Sequence, residues 1–369
     1  MTRPEQLFKH LAQGIAACAV AILFVACGDV ATTTSSLQPA TTPARSLGSD
    51  AEQAVSQHGG KKEVIDYGSK TLAEYTQKWA NIYGPLELGA GGTRSVANNG
   101  AFTVSAVPFH VGADYSVFDH LKYIAVSTQS FPVPVNGSLE FSVEIEAATP
   151  GAVSGRVIHG CYGPPGSYAN VGDPCVQPWS QSALQGQQAG VVLNMINFRT
   201  GQLFDWFVSD NEVFALIERL PSNVTNPTAL PTDPGYVGLD KAYTQIIKVQ
   251  AIKPGKKHDV AIRYSRGPGT SSVDYYLDGK LFASVDNVGV PLDKQGLPYT
   301  GIYPSYGPGE TLNADLHSFV IGHGLFSLLD AFPFQHPERP DLSVSVPMSE
   351  RLFGQGATGT FRQFKVTTR

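Results

Sequence analysis

From about residue 100 the chain alternates apolar and polar positions with a period of two. Leu139, Phe141, Val143 and Ile145 alternate with Glu140, Ser142, Glu144 and Glu146, which predicts a strand with one buried and one wet face. Residues 189–198 (AGVVLNMINF) are nearly apolar throughout and predict a central strand. Thr200-Gly201 then turns the chain into a strand over Leu203–Val208, and Asp210-Asn211 turns it into another over Val213–Leu220. Further strands fit Thr244–Ala251, Asp259–Ser265 and Val273–Leu277. Asp278-Gly279 joins the last of these to Leu281–Val285, the strongest short-range hairpin signal. The chain closes on Gly359–Thr367, where the spacing from Phe361 to Phe364 breaks the alternation and predicts a bulge.

One helix precedes the strands. Thr71-Leu-Ala-Glu74 has the form of a capping box, and Leu72, Tyr75, Trp79 and Ile82 recur at helical spacing. The helix is expected to end near Tyr83, before Gly84-Pro85. Many strands at short spacing predict an all-β, antiparallel sandwich or jelly roll with a short N-terminal helix. Pro221–Val237 and Asp286–Leu312 are rich in Pro and Gly and predict long loops.

Composition narrows the class. The 369 residues carry 26 Lys+Arg against 31 Asp+Glu, a net charge of -5. That argues against a nucleic-acid partner, which would ask for a basic face. Charged residues are 15% of the chain, against about 25% in soluble domains. With 38 Gly and 26 Pro, this points to a β-rich extracellular protein.

Residues 1–26 read as an export signal. Arg3 and Lys9 precede an apolar run, Ile15 to Ala26, too short to span a bilayer as a helix. The run ends at Phe24-Val25-Ala26-Cys27-Gly28, which resembles a bacterial lipobox with Phe24 where Leu is usual. An ordinary secreted protein cut elsewhere, for instance after Ala31, is the other reading. Lipidation at Cys27 would make the membrane a partner, at the cell surface or in the periplasm. Residues 27–65 read as a flexible tether and 66–369 as the folded domain. Cys161 and Cys175 are the only cysteines beyond Cys27, and in an oxidising compartment a disulfide between them is expected.

His258-Asp-Val-Ala-Ile-Arg-Tyr-Ser265, Val273-Asp-Tyr-Tyr-Leu-Asp-Gly-Lys-Leu-Phe282 and the closing Gly359-Thr-Phe-Arg-Gln-Phe-Lys-Val366 resemble the concanavalin A-like lectin/glucanase superfamily. The resemblance implies two facing curved sheets, often with a glycan in the concave face. Four segments are similar to an uncharacterised bacterial domain family over roughly Leu72 to Thr368. They are Phe118–Tyr123, Gly186–Ile196, Gly201–Phe207 and Gly322–Asp330. That likeness brings no activity with it.

The chemistry is less legible. The chain has no P-loop, G-x-G-x-x-G, H-E-x-x-H, C-x-x-C or G-x-S-x-G, and nothing in it calls for a cofactor or a metal. It also lacks the E-x-D-x-E of the superfamily's retaining glucanases, whose two catalytic carboxylates stand about 5–5.5 Å apart. Glu140, Glu144 and Glu146 have related spacing but read as a solvated strand face. Asp210 and Glu212 straddle a turn. His317, His323 and His336, near Asp315 and Asp330, and the pair Asp119–His120 could supply acid–base or metal chemistry but read first as structural.

Polar and aromatic side chains interrupt the apolar strands at Asn194, Asn197, Asp205, Trp206, Glu218 and Arg219. Buried polar groups cost free energy unless paired. Asn194, Asp205, Trp206, Glu218 and Arg219, with Tyr276 nearby, are therefore the candidate glycan-binding face, Trp206 stacking on a sugar ring. Strand alternation forbids Asp205 and Trp206 from sharing a face, and Glu218 and Arg219 likewise. Of each pair, Trp206 and Arg219 are the expected ligand contacts. A fully buried Trp206 together with an Asn194 bonded only to backbone would make this face core and move the site to the loops around His317 and His323.

A carbohydrate-binding module is the first functional reading. An extracellular glycan hydrolase or lyase is the alternative, and a pair of carboxylates about 5–10 Å apart on one groove would favour it. The anchor is directly testable. Cys27→Ser should leave the protein unprocessed or release it from the membrane fraction. A mutant that migrates and partitions like wild type would refute lipidation.

Overall fold

The structure is a computed structural model and describes residues 62–83, 92–110, 120–163, 176–226, 228–297, 305, 307–329 and 342–369. Cys27, Asp119, Cys175, Asp330 and His336 lie outside the described residues. Every strand pair described is antiparallel. The strands form an antiparallel β-sandwich of jelly-roll type, with a small third sheet.

The first sheet runs in the order Lys280–Asp286, Thr270–Leu277, Lys257–Gly267, Gly137–Ala148, Ala357–Thr368, Phe102–Ala106, Thr93–Val96. The second runs Tyr243–Ala251, Glu212–Arg219, Gln202–Val208, Gly190–Asn197, Ser318–Phe326, Leu121–Ser127, Trp79–Tyr83. Gly190–Asn197 is thus the middle strand of its sheet, where its unbroken apolar pattern places it. Asp278 and Gly279 both take positive φ, 51° and 76°, the geometry of the two-residue hairpin expected there. The closing strand shifts register between Arg362 and Lys365, with Gln363 at φ 58°, so the predicted bulge is present.

Other elements differ from expectation. The helix covers only Leu72–Lys78, and the chain becomes a strand at Trp79. Thr71 caps it as predicted, accepting from the Glu74 N–H at 3.1 Å. Trp79 and Tyr75 both face the core, and pairing with Leu121–Ser127 outweighs the helical spacing. Glu63–Asp66 pairs with the closing strand, so ordered structure begins inside the stretch that reads as tether. Ser318–Phe326 is a strand of the second sheet, not a loop. Its Gly322 and Gly324 conceal the strand pattern.

Side chains from the two sheets meet in one large core that includes Phe141, Phe204, Trp206, Ile262, Tyr275 and Phe361. Two aromatics cross this core reciprocally. Trp206 Nε1 donates to the Ala261 carbonyl at 2.9 Å, and Tyr275 Oη donates to the Leu216 carbonyl at 2.7 Å. The Leu216 carbonyl lies where the register with Tyr243–Ala251 shifts, a place where ladder pairing is locally disrupted. The two rings touch edge to face, 5.8 Å apart. A second apolar cluster, with Val192, Ile196, Phe207, Phe214, Leu216 and Ile246, covers the other face of the second sheet.

Trp206→Phe removes the indole donor to the Ala261 carbonyl and part of the ring volume from the core. It should destabilise the domain by about 2–3 kcal/mol, measured by urea unfolding at constant m. A change below about 0.5 kcal/mol would remove this bond from the account of the sandwich.

Candidate functional site

The register of the second sheet decides which polar residues meet. Asn194 pairs with Asp205 on one side and Gly322 on the other. Asp205 pairs with Leu216, and Leu203 with Glu218, so Glu218 stands diagonally from Asp205. Glu218 pairs with Thr244. Alternation puts Asn194, Asp205, Glu218 and Thr244 together on the outer face of the second sheet, among the second apolar cluster.

Their environment is dry. Asn194 is 0% and Asp205 2% exposed, and no polar side-chain atom of either has a hydrogen-bond partner of normal geometry. Glu218 is half-buried and accepts from the Thr244 hydroxyl at 2.9 Å. Burial raises the Asp205 carboxyl well above the usual carboxylate range. The Glu218 charge adds to that rise, and the Asn194 amide opposes it. Burial pushes Glu218 up to about 7, against the hydroxyl bond of Thr244. Near neutral pH the pair therefore holds at least one proton, which can be donated to a leaving group or shared with a ligand hydroxyl.

Gly322 makes room for this set. A Cβ there would overlap the Asn194 Oδ1. Thr244 and Gly322 were not among the residues singled out from sequence. Thr244 emerges only with the register, whereas a glycine inside an apolar run is a visible signal of close approach.

The rest of the expected face does not assemble. Trp206 is 0% exposed and points between the sheets, so it offers no ring to a sugar. Arg219 is buried on the side opposite Glu218. Its Nε donates to the Thr200 carbonyl at 2.9 Å and its Nη2 to Glu310 at 2.6 Å. Tyr276 belongs to the first sheet, where its Oη accepts from Arg263 at 2.6 Å and the guanidinium lies 4.5 Å over its ring. Alternation thus retains Asp205 and Glu218 on the outer face, the opposite choice to Trp206 and Arg219. Asn197 turns back on the chain, its Nδ2 donating to the Ser318 carbonyl and its Oδ1 accepting from Thr200.

The other candidates are engaged elsewhere. Glu140, Glu144 and Glu146 form an ion-pair ladder with Arg263, Arg362, Lys257 and Arg369 on the wet face of the first sheet. Asp210 accepts from the Thr149 N–H and Glu212 from the Gln185 N–H, each pinning a turn. His323 lies in the aromatic core, bonded through Nε2 to Tyr75 Oη at 2.7 Å. Burial pushes it down to about 3, so it is neutral and structural. His317 is exposed beside Arg266. Cys161 is disulfide-bonded. Among the described residues no group of three or more His, Cys, Asp or Glu could hold a metal ion.

Residues 177–369 match a family of unknown function, DUF6081. The chain belongs to that family. The DUF6081 segment contains Asn194, Asp205, Glu218, Thr244 and Gly322. No curated protein matches the chain. Its fold is similar to that of an endo-1,3-β-glucanase from Streptomyces sioyaensis, at 12% identity over 85% of this chain and 99% of that one, TM-score 0.39. It is also similar to the exolytic alginate lyase AlyA5 from Zobellia galactanivorans, at 7% identity over 77% and 88%, TM-score 0.36. A legume lectin-like domain from Entamoeba histolytica gives 9% identity over 82% and 95%, TM-score 0.33. These are likenesses of fold.

The raised carboxyl group has a measurable consequence. Between the ordinary Glu range and about pH 7, the folded state keeps a proton on Glu218 that the unfolded chain has released. Stability therefore falls as pH rises through that window. Glu218→Gln, which stays neutral, should lose less stability than wild type between pH 5 and pH 8. It should exceed wild type at pH 8 by about 1–3 kcal/mol. Parallel pH profiles in the two proteins would refute the raised value.

Proposed function

We propose that the protein is an exported, lipid-anchored, glycan-directed β-sandwich. Its ligand engages the outer face of the second sheet at Asn194, Asp205, Glu218 and Thr244. One observation carries this reading: the Asn194 amide and the Asp205 carboxyl are buried side by side, and neither makes a hydrogen bond of normal geometry. Unmade buried bonds cost free energy, and a hydroxyl-rich ligand supplies both donors and acceptors to fill them. The export signal and tether support a place outside the cytoplasm, where polysaccharides are found. Cys27 would hold the protein to the membrane there.

The carboxylate pair favours a second reading, cleavage of the same ligand. Asp205 and Glu218 share a face and titrate high, so one can act as acid while the other is ionised. Binding and cleavage are separable. The purified protein is screened against insoluble and soluble polysaccharides, for retention and for released reducing or unsaturated ends. Asn194→Ala should weaken retention at least tenfold. If the pair is catalytic, Asp205→Asn and Glu218→Gln should lower turnover at least a hundredfold while retention holds within about threefold. Retention unaffected by Asn194→Ala would place the ligand elsewhere, and the absence of any retained polysaccharide would remove the glycan reading.

A further inference from the structure

A cleft of about 530 Å³ opens where the hairpin Lys257–Gly267/Thr270–Leu277 turns. None of its lining residues belongs to the outer face of the second sheet. Register places Ser265 opposite Ser272, and Ser272 opposite Asp286. These three side chains form a row across three strands on the outer face of the first sheet. Two residues further along the same strand, Arg263 fills that face with its guanidinium and its bond to Glu140. Serine is short, so the row is a depression where the neighbouring row is filled.

The rim is held by its own bonds. Asn313 donates through Nδ2 to the Gly269 carbonyl at 2.6 Å and accepts from the Ser271 hydroxyl at 2.6 Å. Arg266 directs its charge inward, with Nη2 donating to the Val133 carbonyl at 3.0 Å and Nη1 lying 2.7 Å from His317 Nδ1. In contrast, the hydroxyls of Ser265 and Ser272 and the carboxylate of Asp286 make no side-chain bond among the described residues.

We propose that this cleft binds a single neutral pyranoside. Asp286 accepts from two adjacent ring hydroxyls, and the two serine hydroxyls bond to others. The chemistry of the free groups selects this class. A carboxylate only accepts, a serine hydroxyl both donates and accepts, and a polyol answers both. No aliphatic or aromatic side chain lines the cleft, so selectivity there rests on its polar groups. Of the two charged groups in the lining, the Arg266 guanidinium is engaged by the Val133 carbonyl and His317, which leaves the Asp286 carboxylate as the free one, so an anionic sugar is disfavoured there. The volume falls within the range of small-molecule sites, about 300–1,000 Å³.

The test is a titration of the purified protein, followed by NMR or calorimetry, with methyl β-D-glucopyranoside, methyl β-D-galactopyranoside and methyl α-D-mannopyranoside. Sodium glucuronate is the anionic arm. At least one of the three glycosides should bind, and glucuronate should bind more weakly than the glucoside. Asp286→Ala, at an exposed position, should weaken binding at least tenfold. Ser272→Val keeps the strand, removes the hydroxyl, and should weaken it as well. Far-UV circular dichroism confirms that both variants are folded. The proposal is overturned if no glycoside binds, if both variants bind like wild type, or if glucuronate binds as tightly as the glucoside.

Discussion

A sheet buried on both faces has no water to support a charge. The second sheet is such a sheet: Gly190–Asn197 and Gln202–Val208 are buried at every position. Every polar group placed there must find a partner, lose its charge, or remain unsatisfied. Trp206 and Tyr275 take the first course, each reaching a backbone carbonyl of the opposite sheet. His323 takes the second, held neutral among Trp79, Phe102 and Phe361. Asn194 takes the third, and Asp205 combines the second with the third.

The first sheet shows what happens when one face stays wet. Its outer side carries Glu140, Glu144 and Glu146 paired with arginine and lysine. These side chains remain half-exposed, and exposed pairs contribute little to stability. On this face each carboxylate meets a cation rather than an apolar surround. Carboxylates of the same chemical type are thus structural on one sheet and chemically unusual on the other. Burial makes the difference, because it penalises the charged form.

Close approach is the second requirement, and glycine meets it. Gly322 leaves the volume into which the Asn194 amide projects. Gly186 leaves the volume occupied by the Phe214 ring, and Gly359 lies against Val191 where the two sheets face each other. An alanine at any of these positions would meet a side chain already in place. Two of these absent methyl groups shape the outer face and the third shapes the seam between the sheets.

Local pattern was enough to determine most of the fold. Strict alternation marked the Gly137–Ala148 strand, and an unbroken apolar run marked the middle strand of the second sheet. Asp-Gly marked the hairpin, and a single irregular spacing marked the bulge before Phe364. Each is a property of neighbouring residues, so each can be read without knowing what packs against it. Where the pattern was broken it misled: Trp79 kept helical spacing yet entered a strand, and glycines hid Ser318–Phe326. For the site, the sequence named Asn194, Asp205 and Glu218 as polar interruptions and showed that Trp206 and Arg219 could not share their faces. It could not say which member of each pair faced which way. That depends on which side of the strand the first sheet covers, and on a register joining residues more than a hundred positions apart, such as Asn194 and Gly322. Only tertiary packing sets these, because burial of the larger side chain, Trp206, between the sheets turns Asp205 outward.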